Sequence, residues 1–488
     1  MQRITATTAH SLHGIAATRF VEQQAAATLA PHTLMRRAGL ATANLAQALA
    51  PHARSIWVAC GPGNNGGDGL ETALHLHQRG YHAVVTWLGE SAKVSADAHD
   101  AWQRASQAGV RFAAEPPTHA DLCIDALLGI GSTRAPQGRM AHWVQHMNHC
   151  GATVLAVDVP TGLHAETGAL TQSRTEPASH TRIVVRAHHT LSLLTLKPGL
   201  FTGHGRDFVG QVWLDPLGVD VAENSADATL AGPPPRRAHG HASHKGTRGD
   251  VAVIGGAPGM TGAALLAASA ALHAGAGRVI VSLLDDHPIG VDPLQPELMM
   301  RPYRQLNTEA LTVVCGCGGG EAIASILGEV MMNAPRLVLD ADALNAISAD
   351  ARLAAVLIQR GTKQATVLTP HPLEAARLLG CGTADIQANR LLAAQELADR
   401  LRCTVVLKGS GTVTAAPGQH PVINPTGNGK LATGGTGDVL AGLLGTRLAS
   451  GMNPYEAAWT AVYQHAELAD RWPNEAALTA GALAKALS

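Results

Sequence analysis

The chain has 488 residues, 46% of them hydrophobic and 15% charged, with a formal net charge of −1. That length and apolar content imply two or three cored domains. The near-neutral charge excludes both a basic field for nucleic acid and an acidic solvating tail.

Seven cysteines are scattered without a disulfide or zinc spacing, which fits a reducing, cytoplasmic setting. The first fourteen residues carry neither the charged nor the apolar region of a secretory signal. The longest apolar stretch, 263–281, is rich in alanine and glycine and holds His273. It is too weakly hydrophobic to span a membrane.

In chain order, residues 21–30 and 34–49 have helical periodicity. Residues 55–60 (SIWVAC) form a short apolar run that ends in a glycine turn and predict a buried strand. Residues 82–88, 121–124 and 153–157 predict further strands, with helices at 70–79 and 96–108 between them. Such alternation predicts a parallel sheet covered on both faces. Residues 222–244 hold three consecutive prolines and a histidine cluster (His239, His241, His244), without helix or strand periodicity. They predict a linker between domains at 1–221 and 245–488. Strands are then expected at 250–254, 278–283, 311–314, 336–339, 365–368 and 404–407, with three helices closing the chain between 437 and 486.

The front half carries three polar turns at predicted strand ends. The first, GPGNNGGDG at 61–69, contains G-x-G-x-x-G with Glu90 further on, the outline of a dinucleotide fingerprint. Asp68 would put a carboxylate where a pyrophosphate belongs. The asparagines offer oxygen ligands and amide donors together, which suits a small cation or a ribose-phosphate edge. The second, at 125–134, begins with Asp125, and the third, at 158–162, with Asp158. Each aspartate alone could be a helix cap. Three turns at the carboxyl ends of one sheet converge on one crevice.

In the back half, GGTGDV at 434–439 opens a helix. Its small residues expose N–H groups to an anion, and Asp438 can accept a hydroxyl proton during phosphoryl transfer. A plain glycine turn with an acidic first helical turn is the alternative. VVLKGSGT at 405–412, TPHPLEAARLLG at 369–380 and VIGGAPGMTGAA at 253–264 are further strand-end turns. His371 is either a capping or a ligand-facing histidine.

The front motifs, together with LMRRAG at 34–39 and TLKPGL at 195–200, resemble the NAD(P)H-hydrate epimerase domain, the YjeF N-terminal domain, over roughly residues 11–219. The back motifs, with HKG at 244–246 and LATGGTGD at 431–438, resemble the ribokinase-like nucleotide-dependent NAD(P)H-hydrate dehydratase from about residue 244 onward. The resemblance implies an α/β chain: a Rossmann-like three-layer domain followed by a ribokinase-like one. It implies substrate contacts at Asn64, Asn65, Gly66, Gly67 and Asp68, at Gly129, Ile130, Gly131, Ser132, Thr133, Arg134 and Ala135, and at Asp158, which is the acid–base candidate. It puts a potassium ion on Asn65, Asp125 and Thr161 and leaves the role of Lys197 open. In the back half it implies AMP-moiety contacts at Lys408, Gly409, Ser410, Gly411, Thr412 and Gly437. Substrate contacts fall on Ala263, Gly318, His371 and Asp438, with Asp438 as base.

The implied activity is epimerisation of (R)- and (S)-NADHX and NADPHX, and ADP-dependent dehydration of the S form to NAD(P)H with release of AMP and phosphate. Mg²⁺ is expected with the ADP, and a homo-oligomer without nucleic-acid or membrane partners. The chain departs from the family pattern at Thr161, where serine is usual, at the run GCGGG from 316 to 320, and at Lys430 and Leu431. A small-molecule kinase, such as a hydroxymethylpyrimidine kinase, and a non-enzymatic scaffold like that of messenger-RNA decapping proteins are the rival readings.

Overall fold

The computed structural model describes all residues except 91, 92, 172–182, 223, 224, 236–240, 243, 287 and 488. Part of the expected linker, including His239, therefore lies outside the described residues. The chain divides into two compact units, Met1–Leu230 and Ala231–Ser488.

The first unit contains β1 (Gln2–Arg3), β2 (His10–Leu12), α1 (Ile15–Thr28), α2 (Thr33–Leu49), β3 (Ser55–Cys60), α3 (Asn64–Gln78), β4 (His82–Trp87), α4 (Ala96–Gln107) and β5 (Arg111–Ala113). It continues with β6 (Leu122–Ala126), α5 (Gly138–His149), β7 (Thr153–Val157), β8 (His189–Leu193), α6 (Gly205–Phe208), β9 (Gln211–Asp215) and β10 (Ala228–Leu230). The main sheet runs β1-β9-β8-β7-β6-β3-β4-β5 and is parallel except where β1 joins β9. Strand side chains alternate between faces. Ile56, Val58 and Cys60 of β3 pack with α2, α3 and α4, while Trp57 and Ala59 pack with Trp143, Val144 and Met147 of α5. The sheet is thus the middle of three layers.

Two expectations change here. The polar run after β3 is not a loop: α3 begins at Asn64 rather than at residue 70. Asn and Gly are weak helix formers, so tertiary packing decides. A Cβ on Gly66 would lie 2.0 Å from the Gly61 carbonyl oxygen, so only glycine lets the helix start this close to the strand end. The stretch 222–244 also contains a strand. Residues 228–230 pair antiparallel with residues 10–12, Ala228 opposite Leu12. Three residues are too few to show a period, and the partner lies at the other end of the unit.

The second unit contains α7 (Lys245–Arg248), β11 (Asp250–Gly255), α8 (Thr261–His273), β12 (Arg278–Leu283), β13 (Met299–Met300), β14 (Thr312–Cys315), α9 (Ile323–Asn333), β15 (Arg336–Leu339), α10 (Asp342–Ala349) and α11 (Ala351–Arg360). Then follow β16 (Ala365–Leu368), α12 (Pro372–Leu379), α13 (Thr383–Ala388), α14 (Arg390–Leu401), β17 (Thr404–Leu407), β18 (Val413–Ala415), β19 (Val422–Ile423), α15 (Thr436–Ala449), α16 (Pro454–Asp470) and α17 (Ala480–Lys485). Within the unit the order is β13-β12-β11-β14-β15-β16-β17-β18-β19, parallel through β17 and antiparallel after it. Valines 251, 253, 281, 314, 338, 367 and 406 form one core with α8, α15, α16 and α17.

Candidate active sites

In the first unit, the carboxyl ends of β3, β6 and β7 bring the three polar turns together, as open parallel sheets do. They open on a cavity of about 610 Å³. Its lining includes Asn64, Asn65, Asp68, Asp158 and Lys197, and Gly129 to Ser132. Thr133, Arg134 and Ala135 are not among its lining residues. Gly66 and Gly67 are buried in packing, Gly67 against the Met35 side chain.

Asp158 sits just past β7 with a backbone φ of 67°. Its Oδ1 accepts a hydrogen bond from Lys197 Nζ at 2.5 Å, and one from the Leu193 N–H at 3.3 Å. Lys197 is 1% exposed and also donates to the Leu193 carbonyl at 2.6 Å. The lysine whose role the sequence left open thus fixes one oxygen of the acid–base candidate. Burial, with the charges of Asp158 and Glu22, pushes the Asp68 carboxyl well above the ordinary range.

Asp125 is 0% exposed. Its carboxylate accepts from the Thr161 N–H at 2.8 Å, the Thr161 hydroxyl at 2.7 Å and the Leu127 N–H at 3.2 Å. All these donors are neutral. Burial pushes the carboxyl up to about 6, against the pull of those hydrogen bonds. Asn65 is also buried, and neither its amide oxygen nor its nitrogen has a hydrogen-bond partner among the described residues. A buried carboxylate without a cationic partner among the described residues and an orphaned buried amide oxygen at the start of α3 are both oxygen donors of the kind a hard cation takes.

In the second unit, Gly435 takes the left-handed conformation, φ 89°, just before α15. The first N–H groups of that helix have no intrahelical acceptor, and its dipole favours an anion there. Asp438 lies in this first turn. Its carboxylate, the Cys317 thiol and the Asp340 carboxylate present ligand atoms within 4.8 Å of one another. Lys408 Nζ donates to Asp340 Oδ1 at 2.7 Å, and the Thr369 hydroxyl donates to the same oxygen at 2.8 Å. Burial and the Asp340 charge push Asp438 up to about 6, opposed by the Cys317 thiol and by Lys408. The cluster suits Mg²⁺ poorly: the thiol is a soft donor and Asp340 is already neutralised.

His371 caps α12: its Nδ1 accepts from the Leu373 and Glu374 N–H groups at 3.1 and 3.3 Å, and its Nε2 lies 3.2 Å from Glu374 Oε1. Its ring remains half exposed, so capping and ligand contact are compatible. Ala263 and Gly318 meet: a Cβ on Gly318 would stand 2.9 Å from that of Ala263. The loop from Lys408 to Thr412 turns back on itself, with the Thr412 hydroxyl donating to the Gly409 carbonyl at 2.9 Å. The Lys408 side chain points to Asp340, and a Cβ on Gly437 would stand 3.3 Å from its Nζ.

Sequence reasoning missed Asp340, Cys317 and Glu374 in the second unit, and Arg19, Glu22 and Asp97 around the first cavity. Asp340 had a usable signal, since it directly follows a predicted strand, as Asp125 and Asp158 do. Glu22 had none, because its helix precedes the first strand of the alternating series.

Two family models match separate stretches of the chain. Residues 31–199 match the family described as YjeF-related protein N-terminus, and residues 251–488 the one described as NAD(P)H-hydrate dehydratase. The bifunctional NAD(P)H-hydrate repair enzyme Nnr of Escherichia coli (strain K12) is 36% identical over 463 residues, 90% of this chain and 85% of that protein. An ADP-dependent (S)-NAD(P)H-hydrate dehydratase of Neisseria meningitidis serogroup B is 42% identical over 255 residues, 51% of this chain and 85% of the relative. A solved ADP/ATP-dependent NAD(P)H-hydrate dehydratase from Bacillus subtilis, co-crystallised with ATP/Mg²⁺, is 32% identical. That match covers 52% of this chain and 91% of the other, with a TM-score of 0.43.

Proposed function

The chain belongs to the family of bifunctional NAD(P)H-hydrate repair enzymes, and from that membership we propose how its residues divide the chemistry. It joins an NAD(P)H-hydrate epimerase to a nucleotide-dependent NAD(P)H-hydrate dehydratase. This sets aside the kinase and scaffold alternatives.

In the dehydratase half, Asp438 is the base. The supporting observation is its place in the first turn of α15, with Asp340 and Lys408 beside it. Asp438 takes the proton of the C6 hydroxyl as that oxygen attacks the terminal phosphorus of ADP, and AMP leaves. Phosphate then departs from C6, the N1 lone pair forms C6=N1, and loss of the C5 proton restores the 5,6 double bond. N–H groups at the helix start stabilise the transferring charge, and Lys408 pairs with the Asp340 carboxylate beside it. ADP is preferred as the donor. Mg²⁺ supplied with the nucleotide would be held mainly by the ADP phosphates and would neutralise part of their charge. The loop from Lys408 to Thr412, with Gly437, receives the AMP moiety, and Ala263, Gly318 and His371 the hydrated cofactor.

In the epimerase half, Asp158 is an acid–base group at C6, oriented by Lys197. The cavity turns hold the rest of the substrate, remote from the reacting carbon. Asn65, Asp125 and Thr161 hold K⁺, which supplies the positive charge that Asp125 lacks. Assembly as a homo-oligomer and a cytoplasmic location complete the reading. Among the described residues no helix is long and apolar enough to cross a membrane.

The decisive assay incubates the purified protein with mixed (R)- and (S)-NADHX, ADP and Mg²⁺ and follows NADH absorbance. Full recovery requires both halves. Recovery of only the S fraction removes the epimerase assignment, and a stable phosphorylated product removes the dehydratase.

A further inference from the structure

Helix α1 forms part of the lining of the first-unit cavity, through Thr18, Arg19, Glu22, Ala26 and Leu29. The spacing of three to four residues puts them on one helical face. Two contacts orient that face. Thr18 Oγ1 lies 2.8 Å from Thr195 Oγ1, two residues before Lys197. The Arg19 guanidinium reaches the other turn: a Cβ on Gly131 would meet it at 3.1 Å. Glu22, one turn beyond Thr18, lines the same cavity, near enough to Asp158, Lys197 and Arg19 for their charges to act on it. Among the described residues it makes no hydrogen bond and no ion pair. Asp158 reaches the same cavity from the sheet, with one carboxylate oxygen committed to Lys197.

We propose that Glu22 is a second catalytic acid–base group of the epimerase, acting on the face of the nicotinamide ring opposite Asp158. This rests on the assignment of Asp158 above. Inversion at C6 requires oxygen to leave one face of the ring and return on the other, and one carboxyl cannot serve both faces. The Glu22 carboxyl donates its proton to the C6 hydroxyl. The C6–O bond breaks, the N1 lone pair forms C6=N1, and water leaves. A water on the other face adds to C6, the π pair returns to N1, and Asp158 takes the proton. Proton exchange with solvent resets both carboxyls, and the reverse reaction exchanges their roles. The surroundings suit Glu22 to the donor role. Burial and the Asp158 charge raise its carboxyl above the ordinary glutamate range, against the pull of Lys197 and Arg19, while Asp97 adds to the rise. Asp68 faces the same group.

The test uses the full chain. Glu22→Gln is expected to lower kcat for epimerisation by about 10²–10⁴-fold, with KM near the parental value and dehydration of pure (S)-NADHX unchanged. Glu22→Asp, shorter by one methylene, gives an intermediate loss and replaces the glutamine variant should that one fail to fold. In H₂¹⁸O, each inversion by the parent enzyme places one solvent oxygen at C6. Asp158→Asn is the control for the site itself. If it epimerises normally, the cavity assignment fails whatever Glu22 does. If Asp158→Asn is inactive but Glu22→Gln turns over at the parental rate, raises only KM, or if the parent inverts C6 without taking up ¹⁸O, the role of Glu22 alone is overturned.

Discussion

Asp125 and Asp340 stand at corresponding places, each at the carboxyl end of a parallel strand and each almost fully buried, at 0% and 1% exposure. Their surroundings differ in one respect. Asp340 is met by the ammonium of Lys408 at 2.7 Å, whereas among the described residues Asp125 is met by the N–H and hydroxyl groups of Thr161 and the Leu127 N–H and by no cation. A buried carboxylate without a counter-charge is costly. The second unit supplies that charge from its own chain. The first supplies none among the described residues, which is the ground on which K⁺ is proposed there. Dependence on a monovalent ion should therefore belong to one half of the molecule only.

The largest expected effect isolates the second unit. Asp438→Asn keeps size and helix start but cannot accept a proton. Dehydration should fall by about 10²–10⁴-fold, with melting temperature and ADP binding near parental and epimerisation intact. Turnover near the parental rate would mean that the proton passes directly to the transferred phosphate.

Breaking the two aspartate environments sharpens the contrast. Lys408→Met leaves Asp340 buried and unpaired, which should destabilise the second unit by about 3–5 kcal/mol in denaturant melts. Asp125→Asn removes a charge that has no cationic partner among the described residues, so it should cost much less stability than Lys408→Met, with one hydrogen bond from Thr161 or Leu127 lost, while K⁺ dependence and epimerisation are lost. Equal destabilisation by both variants would show that the two sites are not different in kind.

A smaller effect is expected from pH. Asp438 and Asp125 are both pushed up to about 6, so each is ionised above that pH and takes a proton as pH falls through it. Dehydration should decline below about pH 6 as the base is lost. Epimerisation should decline in the same window because protons compete with K⁺ for Asp125. Excess K⁺ should restore the epimerase limb and leave the dehydratase limb unmoved. Restoration of both, or of neither, would contradict the separation.

The smallest effect concerns where the chain can be cut. Each unit should fold and act alone, but β10 pairs with β2 inside the first unit. A fragment of residues 1–230 should therefore melt a few degrees above one of residues 1–221, while both epimerise. Identical melting would show that the ladder contributes nothing.

The sequence was most readable where one residue type had one physical use. Long apolar runs marked the central strands, and glycines marked turns that lie close to other backbone. It was least readable where contact alone decides. Strands His189–Leu193 (HTLSL) and Gln211–Asp215 (QVWLD) mix polar with apolar residues, so neither shows the continuous apolar run that marked the central strands. The run from Asn64 to Asp68 reads as a loop by propensity and is a helix by packing. The motifs located Asp125, Asp158 and Asp438. The groups that tune them come from distant segments: Lys197 and Asp340 carried a signal but no role, and Glu22 and Cys317 joined their sites only once the sheets were assembled.

The left-handed backbone of Asp158 has a consequence for inheritance as well as for mutagenesis. At φ 67° most residues with a β-carbon are strained by about 1–2 kcal/mol; aspartate and asparagine tolerate the conformation better, and glycine has no β-carbon to strain. The residues open to drift at this position are therefore few, and two of the three abolish the charge. Asparagine keeps the conformation while removing the acid, so it separates chemistry from fold. Alanine disturbs both, and a loss of activity in that variant has two causes. A descendant of this chain that abandoned epimerisation would be expected to carry asparagine or glycine here, with Lys197 left as a buried cation in search of an anion.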